Sequence, residues 1–332
     1  MYLPQTMMAL WLENQALNLR EDIPLPEPQT GEALIRVRLT GICATDLELV
    51  RGYYPFAGVP GHEFVGEVIA APGQSMLVGQ RVVGEINLAC GQCEQCLSGR
   101  TTHCENRRVL GIKKQNGSCA QFLTLPIANL HSIPDNVKDE AAVFTEPLAA
   151  ALEIQEQVDI CQKDRVLVIG AGRLGQLFAR SLRITGCELA VVVRHAPHKA
   201  LLKKCDIRTL NENEIQSGRW DCVVEATGTP DGFLLARRAV RPRGTIVLKS
   251  TFKGDNVVNL SAVVVDEITL VGSRCGPFQP ALNLLANQEI DPLPLVEGRY
   301  PLSQAIQAFT HAGQPGALKI LIDPTTPTES QL

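Results

Sequence analysis

Four thiols crowd into fifteen residues, at Cys90, Cys93, Cys96 and Cys104 in CGQCEQCLSGRTTHC. Spacings of three, three and eight let one stretch of chain wrap a single tetrahedral ion, with Gly91 and Gly99 supplying the bends. Zinc is favoured over an iron–sulfur cluster, because no further cysteines at ferredoxin spacing follow. Two disulfides are the bland alternative. A site closed by four thiolates has no open position, so this metal would be structural.

Other candidate groups lie further apart. Cys43 sits in TGICATDLEL, His62 and Glu63 in VPGHEFVGEV, and Glu146 in FTEPLAAAL. A thiolate, an imidazole and a carboxylate with water in the fourth position would make an open, catalytic zinc site. Taken singly, each also reads as core filling or a helix-end carboxylate. The run RVLVIGAGRLG places Gly170, Gly172 and Gly175 as GxGxxG between an apolar strand and a helix. The first glycine permits the tight turn, the second lets backbone approach a pyrophosphate, and the third lets helix and strand pack closely. The alternative is a glycine-rich turn in a protein that binds no cofactor. An NAD site places a carboxylate about 20 residues on, against the ribose 2′-hydroxyl. Here Arg194 stands there, nineteen residues after Gly175, with His195 and Lys199 close by. A cation at that point suits a 2′-phosphate, so NADP is preferred and NAD is the alternative.

These groups need elements to position them. The chain of 332 residues has room for two cores. At 45% hydrophobic and 20% charged it is neither a disordered chain nor a disulfide-dense miniprotein. A formal charge of −4 carries no footprint for nucleic acid, and no apolar run reaches the ~18 residues that would span a membrane. The apolar stretch 7–12 is short and no basic residue precedes it, so no signal peptide is expected and the location reads as cytoplasmic. Eleven cysteines, an odd count without a secretion signal, then argue for reduced thiols and metal rather than disulfides. Short strands are expected at 34–39, where LIRVRL alternates, and at 64–69, 81–83 and 122–125. A helical stretch follows at 140–157, broken or kinked by Pro147. From Arg165 onward, β-branched runs (VLVIG, LAVVV, CVVEATG, TIVLKS) alternate with helical stretches at 174–184, 197–204 and 232–240, the pattern of a parallel sheet with crossover helices. The tail adds helices at 280–287 and 302–312 and a strand at 319–322.

Taken in order, GICATD, PGHEFVGEV, the four-cysteine lobe, EPLA, GAGRLG, EATG and GSRCGPF resemble the zinc-dependent medium-chain dehydrogenase/reductase (alcohol dehydrogenase-like) family, near its sorbitol, threonine and glucose dehydrogenase branches. The resemblance covers essentially the whole chain. It implies an α/β protein with a mostly-β, GroES-like catalytic domain at 1–148 and 277–332 and a doubly wound, parallel-sheet Rossmann domain at 149–276. It implies two zinc ions per chain, the catalytic one held by Cys43 and His62. The third ligand varies among branches, matching Glu63 in some and Glu146 in others. Asp46 matches a carboxylate that orients the histidine, and Thr45 matches the hydroxyl that touches the substrate oxygen and begins the proton path. Arg274 matches an arginine that, in polyol-oxidising members, reaches the substrate or the water on the metal. Arg173, Leu174, Thr227 and Gly228 complete the cofactor set through GAGRLG and EATG. Many members carry a histidine five residues after the cysteine ligand, ending the proton relay; this chain has Glu48 there. The carboxylate could accept the proton, or the relay could run through ribose and water.

The expected function is a zinc-dependent oxidoreductase moving a hydride between NAD(P) and an alcohol, polyol or sugar, forming the aldehyde or ketone. The expected partners are a small alcohol or carbonyl substrate and further copies of the chain, as homodimer or homotetramer, with neither nucleic acid nor membrane. One alternative is a zinc-free quinone or enoyl reductase of the same superfamily. Another is a regulator that binds NADP(H) without turnover.

Overall fold

The computed structural model describes residues 3–251 and 258–326. Two compact units emerge, Met1–Glu146 with Leu282–Leu332, and Pro147–Ala281. The divisions therefore fall after Glu146 and Ala281, inside the helices Thr145–Gln157 and Phe278–Ala286, rather than after residues 148 and 276.

In the first unit, the alternating run around LIRVRL becomes the strand Glu32–Gly41, with Leu34, Ile35, Val37 and Leu39 buried. It pairs antiparallel with Glu63–Ala70 and Phe122–Pro126, and with the tail strand Lys319–Asp323. Gly41 stands opposite both Glu63 and Leu321, so the tail strand joins the sheet beside the His62-Glu63 segment, with Val296–Pro301 parallel on its other side. A hairpin absent from the sequence expectations, Thr6–Glu13 with Ala16–Pro24, covers this sheet's core with Met7, Met8 and Leu10. Its two-residue turn, Asn14-Gln15, has both φ angles positive (49° and 62°), the backbone twist that tight hairpins favour. The stretch expected as one helix at 140–157 is two, Asp139–Ala142 and Thr145–Gln157. Pro147 does not break the second helix. It lies in the first turn, where its missing N–H would have had no partner inside the helix.

The second unit is a six-stranded parallel sheet ordered Arg208–Leu210, Glu188–Val192, Arg165–Ile169, Trp220–Glu225, Val240–Leu248, Thr269–Gly272. Numbered along the chain, that is 3-2-1-4-5-6, the doubly wound order whose direction reverses beside the Arg165–Ile169 strand. Helices Arg173–Arg183, Ala196–Lys204 and Pro230–Ala239 make the crossovers. Leu167, Ile169, Trp220, Val223 and Ile246 are central to its core. A buried ammonium, Lys249, follows the fifth strand.

Candidate functional site

The four-cysteine lobe lies beside a small sheet of Asn87–Leu88, Arg108–Leu110 and Lys114–Gln115. All four sulfurs lie within 4.8 Å of one another, with Cys93–Cys96 at 3.5 Å, Cys93–Cys104 at 3.8 Å and Cys90–Cys96 at 4.0 Å. A sulfur tetrahedron around zinc at ~2.3 Å has edges of ~3.8 Å, whereas a disulfide needs ~2.05 Å. The sulfurs fit the ion and not the bond, and all four thiols are free. The N–H groups of Gln92 and Cys93 pull the Cys90 thiol down to about 6, while burial and the Cys93 sulfur push Cys96 up to about 12. A dication among four sulfurs removes that conflict, since metal binding deprotonates its thiols.

Cys43 caps the N-terminus of the short helix Ala44–Val50, and His62 immediately precedes the strand Glu63–Ala70. Asp46, fully buried, joins the two segments: Oδ2 accepts the backbone N–H of Cys43 at 2.8 Å and Oδ1 accepts that of Gly61 at 3.2 Å. The same Oδ1 lies 3.2 Å from His62 Nδ1, although Nδ1 makes no well-aligned hydrogen bond. Burial alone would lower the His62 pKa, yet Asp46 and Cys43 outweigh it and hold the imidazole well above its ordinary range. An imidazole backed by a carboxylate on one nitrogen, beside a thiol, is a donor set suited to zinc. Thr45 lies on the same helix, its Oγ1 3.8 Å from Cys43 Sγ.

The two carboxylates expected to compete for the third position differ sharply. Glu63 is sealed from solvent, and its Oε2 accepts a short hydrogen bond from Lys319 Nζ, itself buried and 5.7 Å from the centre of the Phe144 ring. A Cβ on Gly41 would come within 2.6 Å of the same Oε2, so the carboxylate has little freedom. Glu146 is half-buried in the first turn of Thr145–Gln157. Among the described residues, Cys43, His62, Glu63 and Glu146 do not gather their donor atoms as tightly as the four cysteines do. Glu48 accepts from Arg51 Nη1 at 2.5 Å, one turn along the helix. Arg274 belongs to the second unit, where its carbonyl accepts from Lys249 Nζ and its side chain is exposed.

The glycine turn is built for close approach. Gly170 has φ +103°, and a Cβ there would lie 2.8 Å from the Ala226 carbonyl oxygen. A Cβ on Gly175 would strike the Gly170 carbonyl oxygen at 1.9 Å, whereas one on Gly172 would meet nothing within 4 Å. Thus Gly170 and Gly175 are required by packing. Gly172, which caps the helix Arg173–Arg183, leaves bare backbone at its N-terminus, the arrangement that receives a pyrophosphate. Arg173 and Leu174 form that helix's first turn and are partly exposed. At the end of the second strand Arg194 is exposed and pairs with Glu212 at 3.3 Å, while His195 caps the helix Ala196–Lys204, which carries Lys199. Thr227 donates its Oγ1 hydroxyl to Glu225 at 2.5 Å, and Gly228 donates its N–H to Ser250 Oγ at 2.9 Å.

Lys319, Lys249, Ser250 and Glu225 are not among the residues the sequence singles out. The acid in EATG was a legible signal for Glu225, and a lone lysine within the apolar run ALKILI was one for Lys319.

Residues 29–135 match the model of the alcohol dehydrogenase GroES-like domain. A sorbitol dehydrogenase from Halalkalibacterium halodurans is 30% identical over 92% of this chain and 95% of its own. Among solved structures, a candidate zinc-binding dehydrogenase from Sinorhizobium meliloti 1021, bound to NADP, superposes with a TM-score of 0.89 at 26% identity over 97% of this chain and all of that one. A protein from Escherichia coli CFT073 described as a short chain alcohol dehydrogenase, complexed with NADH, gives a TM-score of 0.87 at 25% identity over 96% of this chain and all of that one.

Proposed function

The chain belongs to the zinc-dependent medium-chain dehydrogenase/reductase family, and from that premise we propose an NADP-preferring dehydrogenase of polyols, sugars or secondary alcohols. The observation that carries this reading is Asp46, which ties the Cys43 segment to the Gly61-His62 segment and backs the imidazole. Cys43 and His62 are two ligands of the catalytic zinc. Glu146 is the third, because the Glu63 carboxylate is already engaged by Lys319. Zinc in this position supplies Lewis acidity, lowering the proton affinity of an alcohol or polarising a carbonyl in the reverse direction. Thr45 accepts the hydroxyl proton. Glu48, its charge balanced by Arg51, is the chain's own acceptor further out. Arg274 binds a substrate oxygen.

The second unit holds the nicotinamide cofactor, which supplies the hydride chemistry. Backbone at Gly170–Gly175 receives the pyrophosphate, Thr227 and Gly228 lie at the exit of the fourth strand, and Arg194, with His195 and Lys199, faces the 2′-phosphate. One observation favours NAD instead, the pairing of Arg194 with Glu212. The Cys90–Cys104 lobe holds a structural zinc, for two zinc ions per chain. A homodimer or homotetramer is supported by the sheet's edge strand Thr269–Gly272, whose exposed Leu270 lies in the same unit as exposed Leu260, Val264 and Val265. The reduced thiols suit the cytoplasm. No helix among the described residues is long and apolar enough to cross a membrane.

The test is a panel of alcohols, polyols and aldehydes read by NADPH absorbance, with NAD alongside and zinc content measured. The expected result is turnover with two zinc ions per chain. Zinc-loaded protein that binds NADP(H) yet turns over nothing would leave the regulator reading, and one zinc per chain would leave the zinc-free reductase.

A further inference from the structure

In the parallel sheet, side chains tie together the exits of the last three strands. Beyond the fourth strand, the Gly228 N–H donates to Ser250 Oγ at 2.9 Å, and Glu225 O accepts the Lys249 N–H at 3.1 Å. Beyond the fifth, Lys249 Nζ donates to Ser273 Oγ and to the Arg274 carbonyl, each at 3.0 Å, and to the Ala150 carbonyl of the helix Thr145–Gln157 at 2.7 Å. The Phe178 ring centre lies 5.6 Å from the same nitrogen. Lys249 is only 9% exposed. Lysine is seldom buried, and here its three N–H bonds each have an acceptor, one in the helix and two at the adjacent residues Ser273 and Arg274, which no apolar side chain could provide.

A doubly wound sheet binds one mononucleotide half of a dinucleotide at the carboxyl ends of each of its own halves. The Gly170–Gly175 turn and Arg194 belong to the first half, which takes the adenosine and its phosphates. The nicotinamide half then falls to the exits that Lys249 ties together. We infer that Lys249 is a positioning residue for the nicotinamide half of the cofactor. Its ammonium fixes the Ser273-Arg274 backbone against the fifth-strand exit and the helix before the cofactor arrives. The inference rests on the dinucleotide reading proposed above. Preorganised backbone binds without an ordering cost, so loosening this node weakens the contacts made by the nicotinamide ring and its ribose and spares those made by the adenosine end.

The experiment measures calorimetric affinities of zinc-loaded protein for NADP⁺, NADPH and 2′-phospho-ADP-ribose, the last lacking the nicotinamide. In Lys249→Met the Kd for both complete dinucleotides should rise about tenfold, the scale of one lost charge-assisted hydrogen bond, while that for 2′-phospho-ADP-ribose stays within about twofold. Ser273→Ala, which removes one acceptor and leaves the lysine, should raise the dinucleotide Kd about threefold. Equal weakening for all three ligands, or no change for the dinucleotides, overturns the inference. If Lys249→Met does not fold, Ser273→Ala decides, and an unchanged ratio of dinucleotide to 2′-phospho-ADP-ribose affinity overturns it. Where the parent binds only the dinucleotide without the 2′-phosphate, the same comparison is made with NAD⁺, NADH and ADP-ribose; parent protein that binds neither set overturns the dinucleotide reading itself, and this inference with it.

Discussion

Replacing Lys319 with methionine tests the buried pair in which Lys319 engages the Glu63 carboxylate. Lys319 is 2% exposed and Glu63 1%, so water cannot solvate either charge once its partner is gone. Methionine keeps much of the lysine stem's volume, and the loss is therefore electrostatic more than steric. Removing one partner of a buried ion pair costs about 3–5 kcal/mol. For a unit of about 200 residues, each kcal/mol moves the thermal midpoint by about 2–4 °C, so the transition should fall by about 6–20 °C. Two units and bound metal rule out a single two-state transition, so the comparison is made by calorimetry on the transition that moves, with zinc content held constant. Adding Glu63→Gln to Lys319→Met should recover most of the loss, because no charge is left unpaired. A midpoint within about 2 °C of the parent would refute the reasoning. So would a double variant no better than the single one. Either result would mean that something other than Lys319, a metal included, holds Glu63.

Three further outcomes follow from the same geometry. Cys43→Ala should leave one zinc per chain and an unchanged circular dichroism spectrum, with turnover down by at least about a thousandfold, the scale of lost Lewis-acid stabilisation; two retained zinc ions would remove Cys43 from the metal site. Arg194→Asp should raise the Kd for NADP by about 10–100-fold and move preference to NAD, read by titration of both cofactors. Asp221 is held below the usual carboxylate range because the Arg165 and Arg241 guanidiniums and the Arg165 N–H outweigh its burial. Its stabilisation is therefore present above about pH 4 and lost as pH falls through the depressed value. Asp221→Asn should cost about 1 kcal/mol at pH 7, kept small because water reaches the arginines, with thermal melts showing a gap that closes towards pH 2.

The parallel sheet was legible because each βα step is written locally, as one apolar run followed by one amphipathic helix. The helix expected at 174–184 lies at Arg173–Arg183, a shift of one residue. The four-cysteine lobe was legible for the same reason, since all its sulfurs come from one short stretch. The hairpin Thr6–Glu13 with Ala16–Pro24 was not. MMALWL is apolar without alternation, and its turn takes positive φ at Asn14 and Gln15 without the glycine that normally advertises it. At 302–312 the expected single helix is a 3-10 turn, Leu302–Gln304, followed by Ala305–Ala312.

The two buried lysines show where local reading stops. Lys319 opens the strand Lys319–Asp323, in which every residue is buried, so the alternation that would send a lysine to solvent does not apply. Its partner lies 256 residues earlier, and only the antiparallel closure of Lys319–Asp323 onto Glu32–Gly41, with Glu63 opposite Gly41, brings them together. Lys249 likewise ends the apolar run TIVLK, where composition alone suggests a strand end turning outward. Its burial is decided by two carbonyls and a hydroxyl that converge from Ala150, Arg274 and Ser273. In both cases the residue type is local information and the partner is topological. An ammonium without its partners would be too costly to bury, so each lysine is in effect a constraint on the fold around it. For Lys319 that constraint bears on the chemistry proposed above: it engages the Glu63 carboxylate, which is why Glu146 is the proposed third ligand beside Cys43 and His62.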